Sequence, residues 1–162
     1  MQPALLAQCE TLLLLANGAP VLARKLLGPL LARPLDGGLV LPDGFPLFGP
    51  SKTIRGIVCG IAAAAAGGAL LGLGWRIGAL GGAAAMAGDL LSSFIKRRLA
   101  RPPSSRATGL DQLPESVLPL LAWRSVLPLT MLDIVAGAAL FLVGEILLSR
   151  LLYRAHIREQ PF

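Results

Sequence analysis

The stretch GDLLSSFIKRR, residues 88–98, sets a carboxylate, Asp89, ahead of two serines and a basic cluster, Lys96, Arg97 and Arg98, one to two helical turns later. A carboxylate in an apolar helix is costly, so Asp89 should face a polar cavity, a cation or a partner. Taken alone, the basic cluster is most simply an anchor at a membrane surface. The next residues, LARPPSSRATGLDQLPES, mark a loop with Pro102, Pro103, Ser104 and Ser105 and end on Asp111, just before another apolar stretch. Asp89 and Asp111 therefore flank one loop at neighbouring helix ends, where they can approach in space. Two carboxylates there suit Mg²⁺, a hard cation that prefers oxygen and commonly bridges protein carboxylates to substrate phosphates. Two plainer readings stand beside this one: Asp111 caps the helix that follows, and Asp89 pairs with a basic neighbour.

A second group sits in RPLDGGLVLPDGFPLFGPSKTIRG, where Lys52, Thr53, Arg55 and Gly56 precede a long apolar run. An ammonium, a hydroxyl and a guanidinium near a helix start suit phosphate, because the free amides of a first turn also favour anions. The plainer alternative makes Lys52 and Arg55 headgroup anchors. A P-loop is excluded: it needs Gly directly before the Lys and again five residues earlier, where this chain has Ser51 and Pro46. The Asp36-Gly37 and Asp43-Gly44 pairs favour tight turns, with a hairpin around LVLPDGFPLF.

The elements that must position these groups are apolar helices. Of 162 residues, 54% are hydrophobic and only 15% charged, with a mean hydropathy of +0.69. Soluble domains of this length are rarely so apolar. Apolar segments run over about 3–23, carrying Gln8, Glu10 and Asn17, then 55–75, 77–95, 112–127 and 129–152. The fourth is short, which suggests a tilted or broken helix. The third is rich in glycine and alanine, which permits close helix contact and a homodimer. The fold class expected is all-α, a single polytopic membrane domain of about five transmembrane helices. A chain this short with helix-length runs cannot close a barrel.

Placing the loops alternately on two sides puts every Lys and Arg except Arg76 and Arg124 on one side. By the positive-inside rule the N-terminus is then outside and the C-terminus inside a cytoplasmic membrane, with loops 24–54 and 96–112 in the cytoplasm forming the site. The net charge of +6 fits this orientation better than nucleic-acid binding, since no basic stripe is interleaved with stacking aromatics. Cys9 and Cys59 lie apart in apolar segments and His156 is the only histidine, so no cluster has metal-ligand spacing. The start, MQPALLAQCE, lacks the basic region and cleavage site of a signal peptide.

Together, ANGAPVL, LFGPSKTIRG, GDLLSSFIKRRLARPPSS and GLDQLPES resemble the CDP-archaeol synthase family, relatives of the CDP-diacylglycerol synthases. The phrase SSFIKRR followed by an Asp a short loop later resembles the signature shared with phosphatidate cytidylyltransferases. The resemblance implies a multi-helix membrane enzyme of phospholipid biosynthesis that uses CTP and Mg²⁺ to cytidylylate a lipid phosphate, releasing pyrophosphate. It implies Asp89 and Asp111 as metal-binding carboxylates, catalytic together with Lys96, and Arg97 as a further phosphate contact. Lys52, Thr53, Arg55 and Gly56 match the family's first-loop element, and Asn17 and Pro20 its Asn-x-x-Pro. Archaeal members carry a His and an Asn in the last helix where this chain has Glu145 and Ser149, and end in Pro-Trp where it has Pro161 and Phe162. These departures bear on the lipid, phosphatidate-like or archaeal-type, more than on the reaction. A CDP-alcohol phosphotransferase is disfavoured, because its Asp-Gly-x-x-Ala-Arg motif is absent from DGGLVL and DGFPLF. A non-catalytic membrane scaffold or transporter subunit is the remaining alternative.

Overall fold

The computed structural model describes residues 1–102, 107 and 109–154, with side chains through residue 147. Pro103, Ser104, Ser105, Arg106, His156, Arg158, Pro161 and Phe162 lie outside the described residues, as do the side chains of Ser149, Arg150 and Arg154. Five helices appear in the described residues: α1 (Pro3–Leu27), α2 (Ile54–Leu70), α3 (Trp75–Arg98), α4 (Gln112–Arg124) and α5 (Met131–Arg154). No strand forms among these residues, only two isolated bridges in the α1–α2 connection.

Several ends differ from the apolar boundaries for local reasons. The helix α1 runs one turn past residue 23 and stops at Gly28, whose φ of +52° is open to glycine. The helix α2 ends at Leu70, because Gly72 and Gly74, both at positive φ, turn the chain directly into α3. The helix α4 stops at Arg124 rather than 127, since Pro128 disfavours helical backbone at the residue before it. Its 13 residues rise only about 20 Å, short of a roughly 30 Å hydrocarbon core. The helices α1 and α3 are long and apolar enough to cross a membrane, and α2 is an apolar helix of 17 residues.

Successive helices run up and down, so the molecule has a loop end, built by residues 28–53, 99–102, 107 and 109–111, and a turn end, built by 71–74 and 125–130. Small residues set the spacing. A β-carbon on Gly82 would lie 2.9 Å from Ala64 Cβ, and one on Gly78 would meet the Ala64 carbonyl. Pro20 lacks the N–H that would bond the Ala16 carbonyl within α1, and Gly60 packs on that oxygen, 2.7 Å from where its own β-carbon would stand. Trp123, fully buried, lies over Gly81 and donates Nε1–H to the Ile77 carbonyl at 2.8 Å. Leu12, Leu13, Ala64, Ala85, Leu120 and Phe141 complete the interior, while Leu22, Val58, Leu70, Leu121, Val135 and Leu140 are exposed on the outward faces. Large apolar side chains stand outward on all five of these helices, α3 contributing Leu80 and Leu91, and form a surface suited to lipid rather than water.

Candidate functional site

The α1–α2 connection is held in shape by Asp36. Its Oδ1 accepts from the Gly38 amide at 3.0 Å, and its Oδ2 from the amides of Phe48 and Gly49 at 2.9 and 3.0 Å. Partial burial opposes ionisation of this carboxyl, but the three amides outweigh it and hold its pKa below the ordinary aspartate value. The expected hairpin is present as the Val40–Pro46 bridge, with Leu41 N–H bonded to the Phe45 carbonyl at 2.9 Å across the Asp43-Gly44 turn. The two ends of the connection meet where Leu35 N–H bonds the Lys52 carbonyl at 2.8 Å. This fixes the backbone from which Lys52 projects.

Lys52 reaches across to α3, placing Nζ 2.5 and 2.6 Å from the two oxygens of Asp89. Two turns further along the same face, Lys96 Nζ lies 2.6 Å from Asp111 Oδ1. Asp111 stands at the start of α4 but makes no cap bond to its first turn; Oδ2 accepts from the Ala107 amide at 3.1 Å instead. The two aspartates are thus each closed by a lysine, and the carboxyl that hydrogen-bonds Asp89 is Glu115, one turn into α4. Sequence reasoning passed over Glu115, although an acidic residue at the start of an apolar helix is the same signal that drew notice to Asp89.

The remaining candidates divide. Arg97 is 2% exposed and donates Nη2–H to the Pro102 carbonyl at 2.8 Å; its Nε and Nη1 have no hydrogen-bond partner among the described residues. Arg98 pairs with Asp43 at 2.7 Å, donates to the Phe45 and Pro46 carbonyls at 3.2 and 2.7 Å, and lies over the Phe94 ring, tying the hairpin to α3. Arg55 is buried, with Nη1 donating to the Gly28 and Leu30 carbonyls, so it braces the exit from α1. Thr53 is the N-cap of α2, its hydroxyl accepting from the Gly56 amide at 3.1 Å. Gly56 lies against Pro20, and Asn17 Nδ2 donates to the Leu13 carbonyl at 3.1 Å within α1. Thr53, Gly56 and Pro20 therefore meet where α1 and α2 cross, while Asn17 bonds within its own helix.

The donor set fits Mg²⁺ in one specific manner. Among the described residues, no group of three or more His, Cys, Asp or Glu is disposed to hold an ion. Mg²⁺ is commonly held by one or two carboxylates and completed by substrate phosphates and water; Asp89 and Asp111, whose oxygens face ammonium groups two helical turns apart along α3, would each offer such a donor.

A bundle of apolar helices with ion pairs gathered at one end is the organisation of an intramembrane enzyme. In keeping with this, the chain superposes with a TM-score of 0.67, at 34% identity over 83% of its length and 89% of the other chain, on a solved intramembrane enzyme for archaeal membrane lipids biosynthesis. The family model for CarS-like CDP-archaeol synthase matches residues 74–162, which include Asp89, Lys96, Arg97, Asp111 and Glu115. The CDP-archaeol synthase of Pyrobaculum calidifontis is 32% identical over 156 residues, covering 91% of this chain and 90% of that protein. The chain belongs to the CDP-archaeol synthase family. Those of Thermococcus onnurineus and Aeropyrum pernix are 40% and 42% identical over 109 and 106 residues, stretches that span 61% and 58% of those two proteins.

Proposed function

We propose that this protein is a CTP-dependent cytidylyltransferase that converts a lipid phosphate to a CDP-lipid, the lipid being of the archaeol kind that its relatives are named for. An oxygen of the lipid phosphate attacks the α-phosphorus of CTP; the bond from that phosphorus to the bridging oxygen breaks and pyrophosphate leaves. The substrate supplies its own nucleophile, so the protein's contribution is positioning and charge neutralisation. The observation that carries this reading is the pair of lysine–aspartate contacts along one face of α3, beside a buried guanidinium with two nitrogens unpartnered among the described residues.

Lys52 and Lys96 exchange their carboxylates for phosphate oxygens, and Arg97 presents Nε and Nη1 to the same anions. Arg55 and Thr53 support this by fixing the backbone on either side of the α2 start. Asp89 and Asp111 would hold Mg²⁺, which when bound offsets phosphate charge and polarises phosphoryl oxygens. The loop end faces the cytoplasm, where CTP is found, and the N-terminus lies outside. Purified protein incubated with CTP, Mg²⁺ and a panel of diacyl, ether-linked and isoprenoid lipid phosphates should release pyrophosphate only when a lipid phosphate is present. CTP-dependent release that ignores the lipid, or none with any lipid, overturns the proposal.

A further inference from the structure

The structure assigns to Glu115 the part of a positioning residue, which holds the Asp89 carboxylate in the orientation that meets Lys52 and, when bound, the cation. This rests on the reading of Asp89 as a cation ligand given above.

Three observations carry it. First, Glu115 is only 7% exposed and hydrogen-bonds the Asp89 side chain, with Lys52 and Glu145 also within electrostatic reach. Residues from α3, α4, α5 and the first connection thus converge at this depth of the bundle. Second, the approach is built into the backbone. A β-carbon on Gly88 would meet the Pro114 carbonyl and lie 2.8 Å from the Glu115 amide nitrogen, so only glycine beside Asp89 lets the first turn of α4 come this close. Pro114 is tolerated in that turn because its missing N–H would have had no partner within the helix. Third, Lys52 meets both oxygens of Asp89, but its flexible four-carbon stem restrains the carboxylate less than a contact from a packed helix does. Groups that orient a metal-ligating carboxylate change metal affinity by roughly 10- to 100-fold when removed.

The test uses Mn²⁺ as a probe, titrated into the purified full-length protein in detergent without CTP or lipid and followed by electron paramagnetic resonance. Glu115→Gln retains a hydrogen-bonding side chain of the same reach and should weaken Mn²⁺ by no more than about threefold. Glu115→Met keeps the volume without a donor and should weaken it by about 10-fold or more. In an Asp89→Asn background, Glu115→Met should then cost nothing further, because its effect runs through Asp89. Equal losses for Gln and Met would make Glu115 a direct ligand, and an undiminished Met variant would leave it a packing residue; either result overturns the assignment. If wild-type protein binds Mn²⁺ in this way yet releases no pyrophosphate, the cytidylyltransferase reading fails while the positioning role stands.

Discussion

At the turn end, Asp133 in the first turn of α5 is fully buried and accepts from the Gln2 amide at 3.1 Å and from the Thr130 amide and hydroxyl at 2.9 and 2.6 Å. At the loop end, Asp89 is about a quarter exposed and is met by a lysine from a distant segment and by another acid. Both are aspartates in apolar helices. Asp133 is satisfied in the manner of a capping box, whereas on the proposed reading the lysine facing Asp89 gives way to another cation. In an apolar helix, therefore, the identity of the partner separates a structural carboxylate from one available for chemistry.

Substitution is the sharpest way to test that contrast. Asp89→Asn should lower CTP turnover by about 100-fold or more while the protein still inserts and purifies as a folded species; near-normal turnover would erase the distinction. Asp111→Asn should behave similarly. Lys52→Ala should raise KM for a phosphate-bearing substrate by at least about 10-fold, the usual scale of a hydrogen bond to a charged group, with a smaller change in kcat; unchanged kinetics would make Lys52 an anchor only. Gly88→Ala should cost about 1–3 kcal/mol of stability and lower Mn²⁺ affinity, whereas Gly18→Ala, with nothing within 4 Å of the new methyl, should leave both unchanged in thermal melting and titration. Asp133→Asn should lose about 1–2 kcal/mol, seen as a lower melting temperature, and keep its kcat.

The smallest effect concerns pH. Asp36 has a folded pKa below its unfolded value of about 3.9. Its stabilisation is therefore complete above that value and is lost as the pH falls through the depressed folded pKa. The melting temperature of wild type minus that of Asp36→Asn should be constant from pH 8 to about 5 and shrink only below about 4; a difference that fades near pH 6 would contradict the amide cradle.

Much of this arrangement could be read from residue order. The apolar runs located the helices, the Asp-Gly pair located the hairpin, and the cost of charge in an apolar helix pointed to Asp89. What escaped were contacts set by tertiary packing. Nothing local marks that Gly88 admits the first turn of α4, so Glu115 could not be paired with Asp89 across the intervening loop, and Asp111 was the natural companion to expect. Arg55 and Lys52 look alike three residues apart, yet one turns back to the end of α1 and the other crosses to α3. Thr53 carries a local signal as well, since a threonine directly before an apolar run marks a helix start, and it caps α2.

The direct turn between α2 and α3 also governs the order in which the site is assembled. With Gly72 and Gly74 reversing the chain and Ala64 pressed on Gly78, residues 54–98 hold their contacts at short sequence separation, so this helical hairpin can pair as soon as it leaves the ribosome. Lys52, directly before that unit, meets Asp89 within it, but Glu115 and Asp111 arrive only with the next helix. A nascent chain paused before residue 111 would carry an ion pair but only one of the two aspartates proposed to hold the cation.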